Sequence, residues 1–130
     1  MIQARNIDFS SYDSVFPIIN TATSNNNVND KGWYDQYTYT VPNDGVYIVA
    51  FAQRMTGGNN NYDFSVRIAC NGQEVQKVQT GGSTWVNWIS GTVVAIVKAS
   101  SGDSIKCQSK GGGANSYSTG SGVVSIVRVR

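Results

Sequence analysis

Val46-Tyr47-Ile48-Val49-Ala50-Phe51-Ala52 is apolar at every position, and Thr92-Val93-Val94-Ala95-Ile96-Val97 is apolar after its leading threonine. Both are runs of β-branched, aromatic and small residues, which suit a pleated sheet. A strand with one face in a core and the other in water alternates apolar and polar side chains. These two do not alternate, so each needs a partner on both faces. In a chain of 130 residues one face can enter the core of a sandwich while the other meets a second subunit. The alternative is a thick monomer core with some apolar surface left over. Contiguous exposed apolar strands are rare in soluble monomers, which favours the subunit contact. By alternation Tyr47, Val49 and Phe51 face one way and Val46, Ile48, Ala50 and Ala52 the other. The larger set is expected in the core and the smaller set at the contact.

The rest of the chain agrees with an all-β reading. It holds 16 Val, 10 Ile, 9 Thr and 7 Tyr, but no Leu and a single Glu, Glu74. Helices prefer the residues that are missing. Turn signals punctuate the chain at Asn25-Asn26-Asn27, Asn43-Asp44-Gly45, Gly57–Asn61, Asn71-Gly72, Gly81-Gly82-Ser83, Ser101-Gly102-Asp103, Gly111-Gly112-Gly113 and Gly120-Ser121-Gly122. Strands are expected at 15–21, 33–41, 45–55, 62–70, 73–79, 91–99, 103–109 and 122–129, with further short ones near 5–9 and 115–118. Asn71-Gly72 predicts a tight hairpin, because both residues accept positive φ. Many short strands with regular turns mean a sandwich or barrel, here one domain spanning 1–130.

Composition removes several chemistries. Without His there is no Ser-His-Asp triad, no Cys-His dyad and no imidazole zinc site. Seven Asp and one Glu supply a paired-carboxylate hydrolase poorly. A net charge of +2 is no nucleic-acid footprint. The longest apolar runs fall far short of the ~20 residues of a membrane helix, so no membrane insertion is expected. Residues 1–10 show no export signal and the chain has no Asn-x-Ser/Thr sequon; if Met1 is the natural start, assembly in a host cytoplasm and a place on the virion surface are expected, with an extracellular place the alternative, and Cys70 and Cys107 are expected as reduced thiols. Pairing of those two across the sandwich is the alternative.

Four motifs in order carry a resemblance. Tyr39-Thr40-Val41-Pro42-Asn43-Asp44-Gly45-Val46-Tyr47, Ile68-Ala69-Cys70-Asn71-Gly72, Ser90–Val97 followed by Gly102-Asp103-Ser104-Ile105, and Ser121-Gly122-Val123-Val124-Ser125-Ile126 resemble the strand entries and ends of the C1q/TNF-like jelly roll. The order and spacing hold over roughly residues 15–130. Val and Ile stand where that family usually has Phe and Leu, and these 130 residues contain no collagen-like Gly-X-Y tract. The resemblance implies a ten-stranded two-sheet jelly-roll sandwich that assembles as a homotrimer. It also implies that the strand after Gly45 and the last strand face the threefold axis. Val46, Ile48, Ala50, Ala52, Val124 and Ile126 are accordingly the expected trimer interface.

Other features weigh less. Gly111-Gly112-Gly113 lacks the Lys-Ser/Thr pair of a phosphate loop and reads as a flexible connection. Trp85 and Trp88 flank Asn87, and Asn115 and Tyr117 lie in another Gly/Ser-rich stretch. Aromatics among small polar residues make adaptable contact surfaces, so these five are the expected partner-binding residues, although a Trp also packs well into a core or seam. Asp103 alone offers too few oxygens for calcium and is expected to cap its own turn. Lys106, Lys110, Arg128 and Arg130 make the C-terminal end basic. No cofactor and no metal are expected.

The expected function is binding without a chemical step. The first class is a trimeric virion protein, either a capsid decoration protein or a phage fibre head, whose partner is a capsid protein or a host-surface receptor or glycan. The second is a secreted C1q/TNF-like ligand or adhesin domain. An enzyme is the third, disfavoured for want of His and acid pairs.

Overall fold

Along Tyr47, Val49, Phe51, Gln53 and Met55 every second side chain is buried, while Val46, Ile48, Ala50, Ala52 and Arg54 between them reach the surface. That period of two is the pleat of a long strand. A computed structural model describes residues 19–23, 27–28, 31–56, 62–82, 88–111 and 117–130. Among them are nine strands: β1 (Ile19–Ala22), β2 (Asn27–Val28), β3 (Tyr34–Thr40), β4 (Gly45–Thr56), β5 (Tyr62–Cys70), β6 (Gln73–Gly82), β7 (Trp88–Ala99), β8 (Ser104–Gly111) and β9 (Tyr117–Arg128).

They form two antiparallel sheets. Sheet I runs β1-β9-β4-β7, with β2 also on β9; sheet II runs β3-β8-β5-β6. Among β3–β9, β5 and β6 are the sequence neighbours that share a sheet, joined by a hairpin, and the other connections cross between sheets. Asn71 (φ 51°) and Gly72 (φ 81°) form that hairpin turn, as their residue types predict. This alternation of sheets is the jelly-roll sandwich expected from the sequence.

Tyr47, Val49, Phe51, Val93, Val97, Val124 and Ile126 of sheet I meet Phe64, Val66, Ile68, Ile105 and Cys107 of sheet II in one core. Burying an aromatic or branched side chain there contributes about 1.5–3 kcal/mol each. At Gly91 the other sheet packs close against the backbone: a Cβ there would stand 3.0 Å from Val66 Cγ2.

Three expectations change. Asn27, the last residue of an expected turn, forms strand β2 with Val28. Gly81-Gly82 extends β6, and Gly120-Ser121-Gly122 lies inside β9, not in a turn. There the register moves from Gln53↔Gly122 to Met55↔Thr119, so Gly120 and Ser121 oppose Arg54 alone. Small, permissive residues allow such a bulge in a strand. The expected strand at 15–21 is observed from Ile19, its earlier part lying outside the described residues, as does the one near 5–9.

Cys70 and Cys107 lie on neighbouring strands of the same sheet, where Cys107 faces Ile68, so they do not bridge the sandwich. Both are free thiols. Burial pushes the Cys107 thiol up to about 12. Partial burial, and secondarily the charge of Asp103, also raise that of Cys70.

Candidate functional site

The outer face of sheet I carries an unusual load of apolar side chains. Register places Ile48 between Ile96 and Val127, Ala50 between Val94 and Ser125, and Ala52 between Thr92 and Val123. Ile96 is 69 % exposed, Val94 55 %, Val123 43 % and Ile48 37 %. Lys98 at one end and Arg54 at the other bracket the strip. The apolar residues are contiguous across three hydrogen-bonded strands, so water is held over a flat apolar surface at a cost that covering would remove. Round the β7 edge the strip turns a corner. Val75, itself 40 % exposed, joins Gln76, Val94, Ala95 and Ile96 around a depression of about 400 Å³. A second depression, of about 340 Å³, lies over the bulge end of the strip between Arg54, Ser90, Thr92, Ser121 and Val123.

Val46, Ile48, Ala50 and Ala52 therefore lie on this outer face, as alternation requires. Val124 and Ile126 do not: both are fully buried between the sheets. Their pairing with Phe51 and Val49, whose side chains point inward, fixes that direction, because residues opposite each other in a ladder share a face. The β9 residues on the outer face are Val123, Ser125 and Val127.

Of the expected loop residues, Trp85, Asn87 and Asn115 lie outside the described residues. Trp88 opens β7 opposite Thr56 and Tyr117 opens β9 opposite Val28, and their side chains are outside the described set.

At one end of the sandwich three connections are tied together. Asn71 Nδ2 donates to Asp103 Oδ1 (3.0 Å), and Asn71 Oδ1 accepts the Ser104 N–H (2.9 Å). Asp103 Oδ2 accepts the Ser100 N–H (2.8 Å), while Ser101 N–H donates to Asp44 Oδ1 (2.7 Å). The donors around Asp103, Asn71 first and the Ser100 N–H second, hold its carboxyl below the usual carboxylate range. Asp103 is thus a turn cap, its oxygens turned to N–H donors. Among the described residues no three His, Cys, Asp or Glu side chains gather as a metal site would need.

The outer face of sheet II is polar and holds a network that sequence reading missed. Arg67 lies across the Trp33 ring, its guanidinium carbon 4.4 Å from the ring centre, and Lys110 Nζ is 6.0 Å from the same centre. Arg67 Nε donates to Gln108 Oε1 (2.8 Å), Gln108 Nε2 to Asp35 Oδ1 (2.7 Å), and Lys106 Nζ to Asp35 Oδ2 (2.9 Å). Arg67 also meets Glu74 at 3.5 Å. Partial burial pushes the Asp35 carboxyl up, but bonds from Lys106 and Gln108 and the charges of Lys106 and Arg67 outweigh it and leave it lowered. The available signal was parity: Arg67 alternates with Val66 and Ile68 on β5, and Gln108 and Lys110 share the parity that alternates with Ile105 and Cys107 on β8. Which strands are neighbours was not readable.

No protein-family model matches the sequence, and no curated protein does either. Solved structures do resemble it. The Eiger TNF of S. frugiperda superposes with a TM-score of 0.63 over 88 % of this chain and 94 % of that one, at 13 % identity. Two carbohydrate-binding modules overlap more loosely. One comes from a xylanase of the Trinervitermes trinervoides hindgut metagenome (13 % identity, 82 % and 96 % covered, TM-score 0.45). The other belongs to Cellvibrio mixtus lichenase 5A (13 % identity, 92 % and 96 % covered, TM-score 0.39). At such identity the likeness concerns architecture: the chain has the two-sheet jelly-roll fold of the TNF protein.

Proposed function

We propose that the chain is a non-enzymatic binding module of a virion, working as a homotrimer that decorates a capsid or heads a fibre. One observation carries the assembly: the apolar strip of Ile48, Val94, Ile96 and Val123 across sheet I. Covering it removes apolar surface from water, at about 25 cal/mol per Å². The strip carries small side chains at Ala50 and Ala52 and larger ones, Ile96 and Val75, around the depression at the β7 edge, two unlike parts that suit a head-to-tail contact. A head-to-tail contact that closes on itself forms a ring. The TNF-like fold supports three copies in that ring.

The virion setting rests on composition: no Leu, no sequon, and stretches rich in Asn, Gly and Ser. The partner is a capsid lattice or a host-surface receptor or glycan, and three copies multiply a weak contact by avidity. A second reading, a secreted ligand or adhesin domain, is favoured by the fold shared with Eiger TNF.

Sedimentation at micromolar concentration tests the assembly, with a species of three times 14.0 kDa expected and a 14.0 kDa species overturning it. Purified protein added to bare capsids and to host cells then separates the roles. Binding to capsids alone supports decoration; binding to cells alone supports a fibre head or the secreted ligand.

A further inference from the structure

Two cations converge on one indole. Arg67 is stacked on Trp33 at 4.4 Å and Lys110 reaches the same ring at 6.0 Å. Like charges gathered this way repel each other unless an anion answers them. Of the described carboxylates of this face, Asp35 accepts bonds at both oxygens, from Lys106 and Gln108, and Glu74 meets Arg67 at NH1, at 3.5 Å. Register sets Ser65 directly opposite Lys110 and Lys77 directly opposite Arg67. Among the residues whose side chains are described, the face holds Lys77, Arg67, Lys106 and Lys110 against Asp35 and Glu74, an excess of two positive charges.

We infer that Arg67, Lys110 and Ser65, backed by Trp33, form a seat for the carboxylate of an acidic sugar. Stacking on the indole and the bond to Gln108 hold the guanidinium plane in place, so little freedom remains to be lost on binding. Nε–H and one N–H of NH1 are engaged by Gln108 and Glu74, out of the five donors a guanidinium carries. The Lys110 ammonium supplies a second charge and Ser65 a hydroxyl. The surroundings suit a sugar better than an acidic peptide. Its described residues set the Gln108 amide and the Ser65 hydroxyl beside the indole, groups that match the hydroxyls and ring face of a sugar. The seat lies within one copy, on the sheet opposite the apolar strip. It goes beyond the assembly reading and stands or falls separately from it.

The test is titration of the whole chain with sialyllactose and with oligogalacturonate, followed by calorimetry. Trp33 fluorescence is read in parallel in a Trp85→Phe, Trp88→Phe background. Lactose serves as the neutral control and poly-glutamate as the acidic peptide. Binding of at least one carboxylated sugar is expected, weakening as salt rises. Lys110→Gln and Arg67→Gln should each weaken it about tenfold, and Arg67→Lys should restore part of it, while melting curves show each variant folded. Three results overturn the seat: no binding of either acidic sugar, equal binding of lactose or poly-glutamate, or folded Arg67→Gln and Lys110→Gln variants that bind like the parent. The oligomeric state found by sedimentation bears on none of these.

Discussion

Asn71 holds Asp103 from across the sheet: its amide donates to the carboxylate at 3.0 Å while its carbonyl oxygen accepts the N–H of the next residue, Ser104, at 2.9 Å. The β5–β6 hairpin and the β7–β8 connection are thereby fastened to each other. The carboxylate is needed in its charged form, since it accepts two bonds. A group with a depressed folded pKa contributes stability above its unfolded value, here 3.8, and loses it as pH falls through the folded value. Asp103→Asn and Asn71→Ala should therefore lower the melting temperature at pH 7. For Asp103→Asn the gap from the parent should close below pH 4. Melting curves from pH 7 to 2 check this, and a gap independent of pH would refute it.

Adjacent positions on β4 should behave oppositely. Val49 is fully buried and Ile48 is 37 % exposed. Val49→Asp puts an unpaired carboxylate into the core and should cost several kcal/mol, enough to unfold the domain. Ile48→Asp, Ala50→Asp and Ile96→Asp should melt near the parent temperature but sediment as monomers. Melting and sedimentation together decide, and a folded, trimeric Ile96→Asp protein would place the contact elsewhere.

Gly91 is required by close approach. Val66 is fully buried and stiff at χ1, so it cannot swing away from a new methyl placed 3.0 Å from its Cγ2. Gly91→Ala is expected to destabilise by about 1–3 kcal/mol, measured by urea unfolding. Combining it with Val66→Ala should recover less than Val66→Ala alone costs, yet the Gly91→Ala penalty should shrink in that background.

The two thiols should differ in reactivity. Cys107 is buried, its thiol pushed up to about 12, so it offers almost no thiolate at neutral pH. Cys70 is partly exposed. Iodoacetamide on the native protein at pH 8 should label Cys70 slowly and Cys107 only after unfolding, as peptide mass mapping would show. Equal labelling of both in the folded state contradicts the packing of β8.

Period, turn chemistry and the missing helix formers identified the strands, because these are properties of neighbours along the chain. The apolar doubling of 46–52 and 92–97 marked strands that need cover on both faces, and these proved to be hydrogen-bonded partners in sheet I. Direction on β9 was different. Val123, Val124, Ile126 and Val127 are apolar on either parity, so alternation could not tell inward from outward. The bulge at Gly120-Ser121 and the ladder to β4 decide it, since a shift of one residue sends every side chain to the other face. The Trp33, Arg67 and Lys110 cluster joins the start of β3 to β5 and β8, segments that are distant in sequence. Only the strand order β3-β8-β5 brings them to one ring, and that order follows from packing two sheets around a common core, which no local pattern encodes.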